Sequence, residues 1–586
     1  MCGIAGISLR PGQSVEPAVL DRLARALAHR GPDGAGRQLR GGVALVHTRL
    51  AIIDLKTGDQ PLEDDAGAAL IANGEIYNSP ELRAALAGPF RTASDCEPPL
   101  ALYREAGEGF AARLRGMWGI ALHDTASGDL YLSRDPFGIK QLYYAETPAG
   151  LAFASEPQAL IAAGFVAPEV NIRARDELLA LQFTTGAETI YRGIYRVLPG
   201  ETLTVRAGKV VGREHRVALP EGPPEPVDEA MALKRLDDAI LDSVMVHQRA
   251  DVPYGMFLSG GVDSSALLVA MARLNDRPVR AFTAGFDEPG VPDERPHAAA
   301  VAKSLGAEHI EVAFGAEDFW STLPAVVAAL DDPVIDYATL PTFKLAATAG
   351  ADLKVVLCGE GGDEMFGGYG RYRRAIRPWW QGGARPMRAR AALAGAGVLR
   401  MESASWRNGI AQAEAAAATG GRTALQTAQA TDCADWLPHD LLIKLDRCLM
   451  AHGVEGRTPF LDPAVAAAAF RLPDRLKVRG RLGKWLLRRW LDARLPEAGA
   501  FARKRGFTVP VGAWIARRAD EIGPLVAAQP GIAELCKPEA VRALYGDAER
   551  ARSGAAWMLL FYALWHNHHV LGLPTEGDIA ASLAAS

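Results

Sequence analysis

The sequence predicts an α/β protein in two parts, on the basis of three features of the chain. Residues 1 to about 205 carry short β-rich runs broken by Gly, Asp and Asn, which is typical of antiparallel sheets. Beyond residue 229, strand-like and helix-like runs alternate, as in a parallel sheet covered by helices. From about residue 375 onward the pattern is mainly helical and rich in Ala.

The first part combines strands with flanking helices. EPAVLDRLARALAHR has apolar residues at helical spacing. The stretches DGAG and ASGD predict hairpin turns. Five longer runs predict strands: GGVALVHTRLAIID, AALIANGEIYN, MWGIALHDTASGDLYLSRD, QLYYAETPAGLAFASE and ETLTVRAGKVV.

A stretch rich in Pro and Glu, ALPEGPPEPVDEA, has no apolar period and predicts a linker at 217–229. It divides the chain into a first domain, 1–216, and a second domain, 230–586. In the second domain, YGMFLSG, VRAFTAGF, HIEVAF and LKVVLCG predict strands, while SSALLVAMARL and RPHAAAVAKSLG predict helices. The later stretch AGAGVLRMESASWRNGIAQAEAAAATGG is biased in composition but compatible with a helix.

The composition excludes several classes of protein. A net charge of −5 over 586 residues gives no basic footprint, so no nucleic-acid partner is expected. No apolar run reaches the roughly 18 residues that a membrane span needs, and the N-terminus lacks the pattern of a secretion signal. The six cysteines form no CxxC pair, which argues against a disulfide framework or a zinc site and favours a reducing compartment. We therefore expect a cytoplasmic protein without a membrane partner.

The chain begins MCGIAGI, with a reactive residue directly behind the initiator methionine. Cys2 is either a chance cysteine at the start of a buried strand or, after removal of Met1, a terminal residue with both a thiol and an α-amino group. That amine has an ordinary pKa of roughly 8, so it can accept the thiol proton near neutrality. Threonine activated by its own N-terminal amine is a known parallel. The first seven residues alone leave both interpretations open.

The stretch MFLSGGVDSSALLVAM predicts a strand, a loop of small residues and a helix. Gly260 and Gly261 let the backbone approach a ligand, and the helix N-terminus then offers an anion site. The loop is not a Walker A motif, because the G-K-[ST] ending is absent. Asp263 would repel a phosphate unless a Mg²⁺ lay between them. The alternative is an ordinary Gly-rich turn with a capping Asp.

A second glycine-rich loop, VVLCGEGGDEMFGGY, also follows a strand and carries Glu360, Asp363 and Glu364. Both loops are expected at the carboxyl ends of parallel strands, where ligands bind in open α/β sheets. Asp263 and Asp363 can therefore share one magnesium ion. A flexible acidic loop is the alternative.

Longer motifs follow one another along nearly the whole chain: MCGIAGI, HRGPDG, RLAIIDL, NGEIYN, SDCE, RDPFGIK, SGGVDSS, GEGGDEMFGGY, GVEGRTPFLD, GKWLLR and RKRGFTVPVGAW. Together they resemble the class B, glutamine-dependent asparagine synthetases, and SGGVDSS resembles the pyrophosphate loop of ATP-pyrophosphatases. The resemblance implies an N-terminal αββα sandwich of the N-terminal nucleophile hydrolase type, followed by an α/β synthetase domain with a helical C-terminal part. It also implies ATP and Mg²⁺ as cofactors and a homodimer.

In the first domain, the resemblance makes Cys2 the nucleophile that attacks the side-chain amide of glutamine. Asn73 and the N–H of Gly74 would form the oxyanion hole, in which one donor is worth about 2.7–4 kcal/mol of the barrier. Arg49 and Asp95 match residues that bind the carboxylate and the ammonium group of glutamine. The other positions implied at this site are Leu50, Ile53, Glu75 and the HRGPDG lid, 29–34.

In the second domain, the resemblance implies a site that activates a carboxylate as an acyl-adenylate. Lys484 matches a lysine that stabilises charge on the phosphates, and Glu360 matches a carboxylate that serves as base for incoming ammonia. Asp263 and Asp363 would hold the magnesium. The implied ATP-binding residues are Leu258, Ser259, Gly260, Gly261, Asp263, Ser264, Ala284, Cys358 and Gly359. A shielded passage for ammonia between the two sites is expected as a family property.

Three departures from the family pattern concern the second site. The loop reads GEGGDE where GEGSDE is commoner, Cys358 replaces a frequent Ser, and Tyr337 stands where some members have an Arg near the acceptor. Aspartate is the leading acceptor hypothesis, and another carboxylic acid, such as a peptide or sugar-acid group, is the alternative. The expected partners are small molecules: glutamine, ATP and the acceptor acid.

A third hypothesis is a non-catalytic relative that serves as a scaffold. It predicts the loss of Cys2, Asp263, Asp363 or Lys484, and all four are present in the chain.

Overall fold

The first half of the chain forms two six-stranded antiparallel sheets between layers of helices. The computed structural model describes residues 2–502, 509–575 and 577–584. The strands of this half are β1 (Gly3–Leu9), β2 (Gly34–Arg40), β3 (Val43–Arg49), β4 (Leu62–Glu63), β5 (Ala68–Ile76), β6 (Gly116–Asp124), β7 (Asp129–Arg134), β8 (Tyr143–Glu146), β9 (Gly150–Ala154), β10 (Tyr195–Arg196), β11 (Glu201–Arg206) and β12 (Lys209–His215). Its helices are α1 (Pro17–Ala26), α2 (Ser79–Ala85), α3 (Pro98–Ala106), α4 (Pro157–Ala162) and α5 (Ile172–Leu181), with a 3₁₀ helix at Gly107–Arg113.

The two sheets pack face to face, with strand orders β10-β8-β9-β1-β3-β2 and β12-β11-β7-β6-β5-β4. Apolar side chains from both, including Ile4 and Leu45 of one and Ile71 and Leu132 of the other, form the core between them. Helices α1, α4 and α5 cover the outer face of the first sheet, and α2 and α3 cover the second. The predicted αββα sandwich is confirmed.

One predicted turn is wrong and one is right. DGAG does not form a turn, because Gly34–Arg40 is strand β2. The β2–β3 hairpin turns instead at Gly41 and Gly42, whose φ angles of 58° and 78° lie in the left-handed region that favours glycine. ASGD does join β6 to β7 as an antiparallel hairpin.

The second half is built on a five-stranded parallel sheet of order β15-β14-β13-β16-β17. Its strands are β13 (Tyr254–Phe257), β14 (Arg280–Phe286), β15 (Glu308–Phe314), β16 (Val355–Leu357) and β17 (Glu455–Arg457). Its helices are α6 (Glu229–His247), α7 (Val262–Leu274), α8 (Arg295–Ser304), α9 (Ala316–Ala329), α10 (Thr339–Gly350), α11 (Gly362–Phe366), α12 (Gly370–Ala375), α13 (Asn408–Ala417), α14 (Ala424–Thr431), α15 (Leu442–Met450), α16 (Pro463–Ala469), α17 (Asp474–Lys477), α18 (Trp485–Asp492), α19 (Val511–Arg517), α20 (Ala519–Ala528), α21 (Pro530–Leu535), α22 (Pro538–Gly546), α23 (Ala548–Ala551), α24 (Gly554–His569) and α25 (Ile579–Ala584). A π-helical segment, Asp432–Leu441, joins α14 to α15.

The C-terminal part is mainly helical, as predicted, with two differences. The fifth strand, β17, was not predicted because a three-residue strand has too little apolar pattern to stand out. The stretch AGAGVLRMESASWRNGIAQAEAAAATGG, which begins at Ala394, is compatible with a helix by its sequence, but only Asn408–Ala417 of it forms one. No helix in the described part of the chain is long and apolar enough to cross a membrane.

Candidate active sites

Cys2 lies at the entry to β1, beside a strand of the opposite sheet. Its backbone nitrogen donates to Asn73 Oδ1 at 3.1 Å, and its side chain is buried. Burial raises the pKa of the Cys2 thiol, while a hydrogen bond from the Leu50 backbone opposes this. The thiol therefore needs a proton acceptor to become a nucleophile. The predicted acceptor is a free Cys2 amine, which depends on removal of Met1, a residue outside the described part of the chain.

Asn73 lies in β5, and the oxygen and the nitrogen of its side-chain amide differ in their hydrogen bonding. Oδ1 faces the Cys2 nitrogen, while Nδ2 is buried without a hydrogen-bond partner among the described residues. A buried donor left unpaired is costly, so it points to a group that arrives with the substrate. An amide N–H beside the nucleophile is the arrangement that an oxyanion hole requires, which fits the role predicted for Asn73 with the adjacent Gly74.

The two residues predicted to bind glutamine already have partners. Arg49 Nη1 lies 2.7 Å from Asp59 Oδ1, and its other terminal nitrogen donates to the Asp54 carbonyl. Asp95 accepts a hydrogen bond from the Ile76 N–H at 2.7 Å, and burial raises the pKa of its carboxyl. Since the Asp59 side chain is 81% exposed, a substrate carboxylate can take its place on Arg49 at small cost.

Glu75 and Ile53 face the second half of the chain. Glu75 pairs with Arg457 of β17 at 3.1 Å. Burial, with a smaller contribution from Asp95, raises the pKa of Glu75 well above its ordinary range. Ile53 and the buried Leu50 belong to an apolar cluster whose other members come largely from the second half. The predicted glutamine site thus lies at the joint between the two halves.

Sequence reasoning missed a set of ionised residues at this joint, which we call the buried charge cluster: Arg30, Glu156, Asp331, Asp446 and Arg447. Arg30 Nε donates to the Cys2 carbonyl at 3.2 Å. Its Nη1 lies 2.6 Å from Glu156 and 2.8 Å from Asp446, and its Nη2 lies 3.1 Å from the second Asp446 oxygen. Arg447 continues the cluster to Asp446 and Asp331, each at 2.8 Å.

The cluster links elements that carry parts of both predicted sites. Arg30 belongs to the HRGPDG motif, whose neighbour His29 lies 3.1 Å from Glu156. Asp446 is on α15, two residues after Lys444, which lines the nucleotide pocket described below. Burial alone would raise the pKa of Asp446, but the positive charge and the hydrogen bonds of Arg30 lower it to about 2. The lid role of the HRGPDG segment stays a prediction.

In the second half, one pocket of about 430 Å³ lies at the carboxyl end of the parallel sheet. It brings together the residues predicted from three separate motifs. All of the predicted ATP-binding residues line it, as do Glu360, Asp363 and Lys484: Leu258, Ser259, Gly260, Gly261, Asp263, Ser264, Ala284, Cys358, Gly359, Glu360, Asp363 and Lys484. The pocket lies at the carboxyl ends of β13, β14 and β16, where ligands bind in open parallel sheets.

The SGGVDSS loop is closed by its own serines. Ser264 Oγ accepts from the Ser259 N–H at 3.2 Å and lies 3.1 Å from Ser259 Oγ. Gly260 has φ of 67°, a left-handed conformation that a side chain would strain. Helix α7 begins directly after Gly261, so its N-terminal N–H groups and its dipole face the loop. The geometry suits a phosphate group.

Lys484 connects the two acidic loops. Its ammonium contacts Asp263 Oδ2 and lies 2.7 Å from Asp363 Oδ1. Burial alone would lower the pKa of Lys484, but the two carboxylates raise it above its ordinary value. Gly362, which replaces the commoner Ser, lies so close that a Cβ there would be 2.5 Å from Asp263 Oδ1.

The donor set at Asp263 and Asp363 fits magnesium. Mg²⁺ in proteins is usually bound through one or two carboxylates together with substrate phosphates, not by a complete protein cage. Within the described residues, no group of three or more His, Cys, Asp or Glu can hold a metal by itself. In such a site the protein is therefore expected to supply two carboxylate ligands next to a phosphate-binding loop, as Asp263 and Asp363 do here.

Glu360 and Lys444 both line the pocket. Burial raises the pKa of Glu360, and nearby Lys444 opposes the rise. Lys444 lies 3.0 Å from Asp336 and was missed by sequence reasoning, because a single Lys within an apolar helix gives no signal. Tyr337 is 36% exposed and lies outside the residues that line this pocket in the described chain. Half of the RKRGFTVPVGAW motif, residues 503–508, lies outside the described residues.

Two family models match the chain. A glutamine amidotransferase domain covers residues 1–216, and asparagine synthase covers 235–567. A Mycobacterium tuberculosis protein named "Putative asparagine synthetase", glutamine-hydrolyzing, is 34% identical over 97% of each chain. Asparagine synthetase 1 of Bacillus subtilis is 31% identical over 97% of each chain. Amidase chry2 of Gibberella zeae is 32% identical over 64% of this chain and 60% of its own.

The fold and these matches define a glutamine amidotransferase joined to a synthetase domain in one polypeptide. The chain belongs to the glutamine-hydrolysing asparagine synthetase family.

Proposed function

We propose that this protein is a glutamine-dependent asparagine synthetase. It hydrolyses glutamine at Cys2 and passes the ammonia to a β-aspartyl-AMP intermediate made from aspartate and ATP. The products are asparagine, glutamate, AMP and pyrophosphate. The observation that carries the proposal is that one chain holds both sets of groups: Cys2 beside Asn73, and Lys484 between Asp263 and Asp363.

At the first site, Cys2 attacks the amide carbon of glutamine and its thiol proton passes to its own amine. The unpaired Nδ2 of Asn73 then stabilises the oxyanion that forms. Arg49 binds the glutamine carboxylate and Asp95 its ammonium group. Asp95 ionises more readily once that ammonium is present, because an opposite charge offsets the burial that raises its pKa.

At the second site, the SGGVDSS loop and the α7 N-terminus bind the ATP phosphates. Asp263 and Asp363 would hold Mg²⁺ together with the phosphates, and the ion would neutralise charge on the pyrophosphate. Lys484 adds a fixed positive charge next to the α-phosphate and the acyl oxygen. Glu360 then accepts a proton from the ammonia that attacks the acyl carbon, and burial, which raises its pKa, makes it a stronger base than an exposed carboxylate.

The choice of aspartate as acceptor is supported by two charges near Glu360. Lys444 lines the pocket and Asp336 pairs with it at 3.0 Å, and these opposite charges match the carboxylate and the ammonium group of an α-amino acid. The second candidate keeps the mechanism and changes the acceptor to another carboxylic acid. It is favoured by Tyr337 at the position where some family members have an Arg, and by the similarity to Amidase chry2.

Measuring AMP release across a panel of carboxylic acids, with glutamine and Mg-ATP present, tests the acceptor. The panel contains aspartate, glutamate, a dipeptide and a sugar acid. We expect aspartate to give the highest kcat/KM. Asp263→Asn is the matched control for background ATP hydrolysis. Release with aspartate no greater than in this control, together with release on another acid, rejects aspartate and selects the second candidate.

We also propose ATP and Mg²⁺ as the cofactors and a cytoplasmic homodimer, on the strength of the family resemblance. The domain limits, 1–216 and 230–586, are part of the same proposal. Light scattering at several protein concentrations tests the dimer.

A further inference from the structure

A basic and aromatic surface follows the second acidic loop of the nucleotide pocket. Residues 370–400 contain eight Arg and no Asp or Glu, in a chain whose net charge is −5. Two adjacent tryptophans in this segment, Trp379 and Trp380, are 83% and 68% exposed. Large aromatic side chains are rarely left this open on a surface that has no partner.

The exposed arginines of this segment lie close together. The Arg385 N–H donates to the Arg374 carbonyl at 3.2 Å, which folds the segment back on α12. Trp379 and Trp380 sit in the 3₁₀ turn between them, with ring centroids 5.9 Å apart. We call this set the Arg–Trp surface: Arg373, Arg374, Trp379, Trp380 and Arg385.

The positive charges of the Arg–Trp surface are not neutralised within the described part of the chain. Many exposed arginines elsewhere pair with carboxylates, as Arg192 does with Glu169 at 2.8 Å. Arg373 instead donates to the backbone carbonyl of Arg481 at 2.8 Å, which brings a further arginine to its side. For Arg374 and Arg385 no carboxylate of the described residues lies within ion-pair distance. A cluster of like charges without counter-ions costs stability, so a partner that supplies the anions is the physical reason to keep it.

The surface borders the mouth of the nucleotide pocket. Gly368 and Tyr369 line the pocket, and α12 starts at the next residue. At a helical rise of about 1.5 Å per residue, Arg373 and Arg374 lie about 6–8 Å along the chain axis from Tyr369. On the other side, the segment that contains Arg481 leads directly into Lys484. A molecule bound here stands beside the pocket entrance.

The chemistry of the surface favours an acidic polypeptide over other anionic partners. Arginine binds carboxylates through a planar, two-point fork, and Trp and Arg are the residues that most often dominate protein–protein interfaces. A nucleic acid presents a continuous row of phosphates and is usually bound along an extended basic stripe, which a protein with a net charge of −5 and one small basic area does not offer. A membrane surface is usually bound by a long amphipathic helix, whereas α12 has 6 residues.

We propose that the Arg–Trp surface binds an acidic protein or peptide beside the entrance of the nucleotide pocket. The carboxylates of the partner pair with Arg373, Arg374 and Arg385, and its apolar side chains pack on the two tryptophans.

The binding test uses the purified full-length protein and a fluorescein-labelled peptide of repeating Glu-Glu-Leu, measured by fluorescence anisotropy. A peptide of the same length with repeating Glu-Lys-Leu is the neutral control. We expect saturable binding of the acidic peptide only, weakened when salt is raised because screened charges attract less. The triple variant R373E/R374E/R385E should bind about tenfold or more weakly.

Two further variants distinguish an effect of the Arg–Trp surface from an effect of total charge or of misfolding. R25E/K209E/R277E changes by the same total charge three exposed basic residues elsewhere that form no ion pair with a described residue, and it should bind as the unaltered protein does. W379S/W380S should weaken binding about tenfold, since aromatic anchors carry much of an interface. Glutaminase activity and ATP–pyrophosphate exchange should stay unchanged in all three variants, which shows that they fold.

Three results overturn the proposal. The first is absence of acidic-peptide binding by the unaltered protein. The second is equal weakening by R373E/R374E/R385E and by R25E/K209E/R277E. The third is tighter binding of phosphatidylglycerol vesicles or of poly(U) than of the acidic peptide. If the triple reversal fails to fold, the milder R373Q/R374Q/R385Q takes its place with the same expected direction.

Discussion

Replacing Asp446 with asparagine removes the negative charge at the centre of the buried charge cluster. Asp446 accepts from both terminal nitrogens of Arg30 and from Arg447, at 2.8, 3.1 and 2.8 Å, and the three side chains are at most 2% exposed. Asparagine keeps the shape but turns an N–H toward these donors. Breaking a buried ion pair from one side typically costs about 3–5 kcal/mol of the free energy of unfolding.

The pKa of Asp446 gives a second, independent magnitude. The difference between about 2 in the folded protein and the ordinary 3.8 corresponds to about 2.4 kcal/mol of stability at neutral pH. Because the folded pKa is the lower one, this stability is present above the unfolded pKa and is lost as pH falls from about 4 to 2. The gap in unfolding free energy between the unaltered protein and Asp446→Asn should therefore narrow over this window.

Urea unfolding followed by tryptophan fluorescence measures the free energy of unfolding that Asp446→Asn loses, at pH 7 and again at acid pH. Asp21→Asn is the matched control, because Asp21 pairs with Arg37 where the two side chains are 49% and 43% exposed. It should cost less than about 1 kcal/mol. Equal losses for the two variants at pH 7 would refute the reasoning that burial makes the Asp446 contacts strong.

Three further predictions concern the sites themselves. Asp263→Asn should abolish ATP–pyrophosphate exchange and leave glutaminase activity intact, and unaltered exchange would count against the metal role of this carboxylate. Asn73→Ala should lower the glutaminase kcat by about 10²–10³, the usual cost of one oxyanion donor, with the ammonium-dependent synthesis as the control that must not change. As pH falls through the raised pKa of Glu360, the base gains a proton and the glutamine-dependent kcat should drop; the profile of Glu360→Gln should lack that limb, and an identical limb in both would contradict the assignment.

The sequence was informative where chemistry is concentrated in short motifs. The loops around Asp263 and Asp363 each combine glycines, a strand before and a helix after, so their position at one edge of a parallel sheet followed from general rules of α/β folds. Lys484 is different: it is one cation among several in a basic stretch, and only its match to a family motif singled it out. The structure brings all three residues to one pocket.

The joint between the two halves was not predictable in the same way. Arg30 and Asp446 are 416 residues apart, and neither carries a local pattern that indicates the other. Glu455–Arg457 is too short a strand to show a period of two, yet it places Arg457 against Glu75. Contacts of this kind depend on how two complete domains pack against each other. That packing is determined by many weak contacts along the interface and not by any one motif.

The central claim is that Cys2 releases the nitrogen which a separate nucleotide site then uses. Cys2→Ala tests it most directly, through paired assays of product formation with glutamine and with ammonium as the nitrogen source, aspartate and Mg-ATP being present in both. We predict that synthesis from glutamine disappears while synthesis from ammonium keeps the rate of the unaltered protein. Loss of both activities in a variant that still folds, or survival of the glutamine-dependent one, would contradict the account.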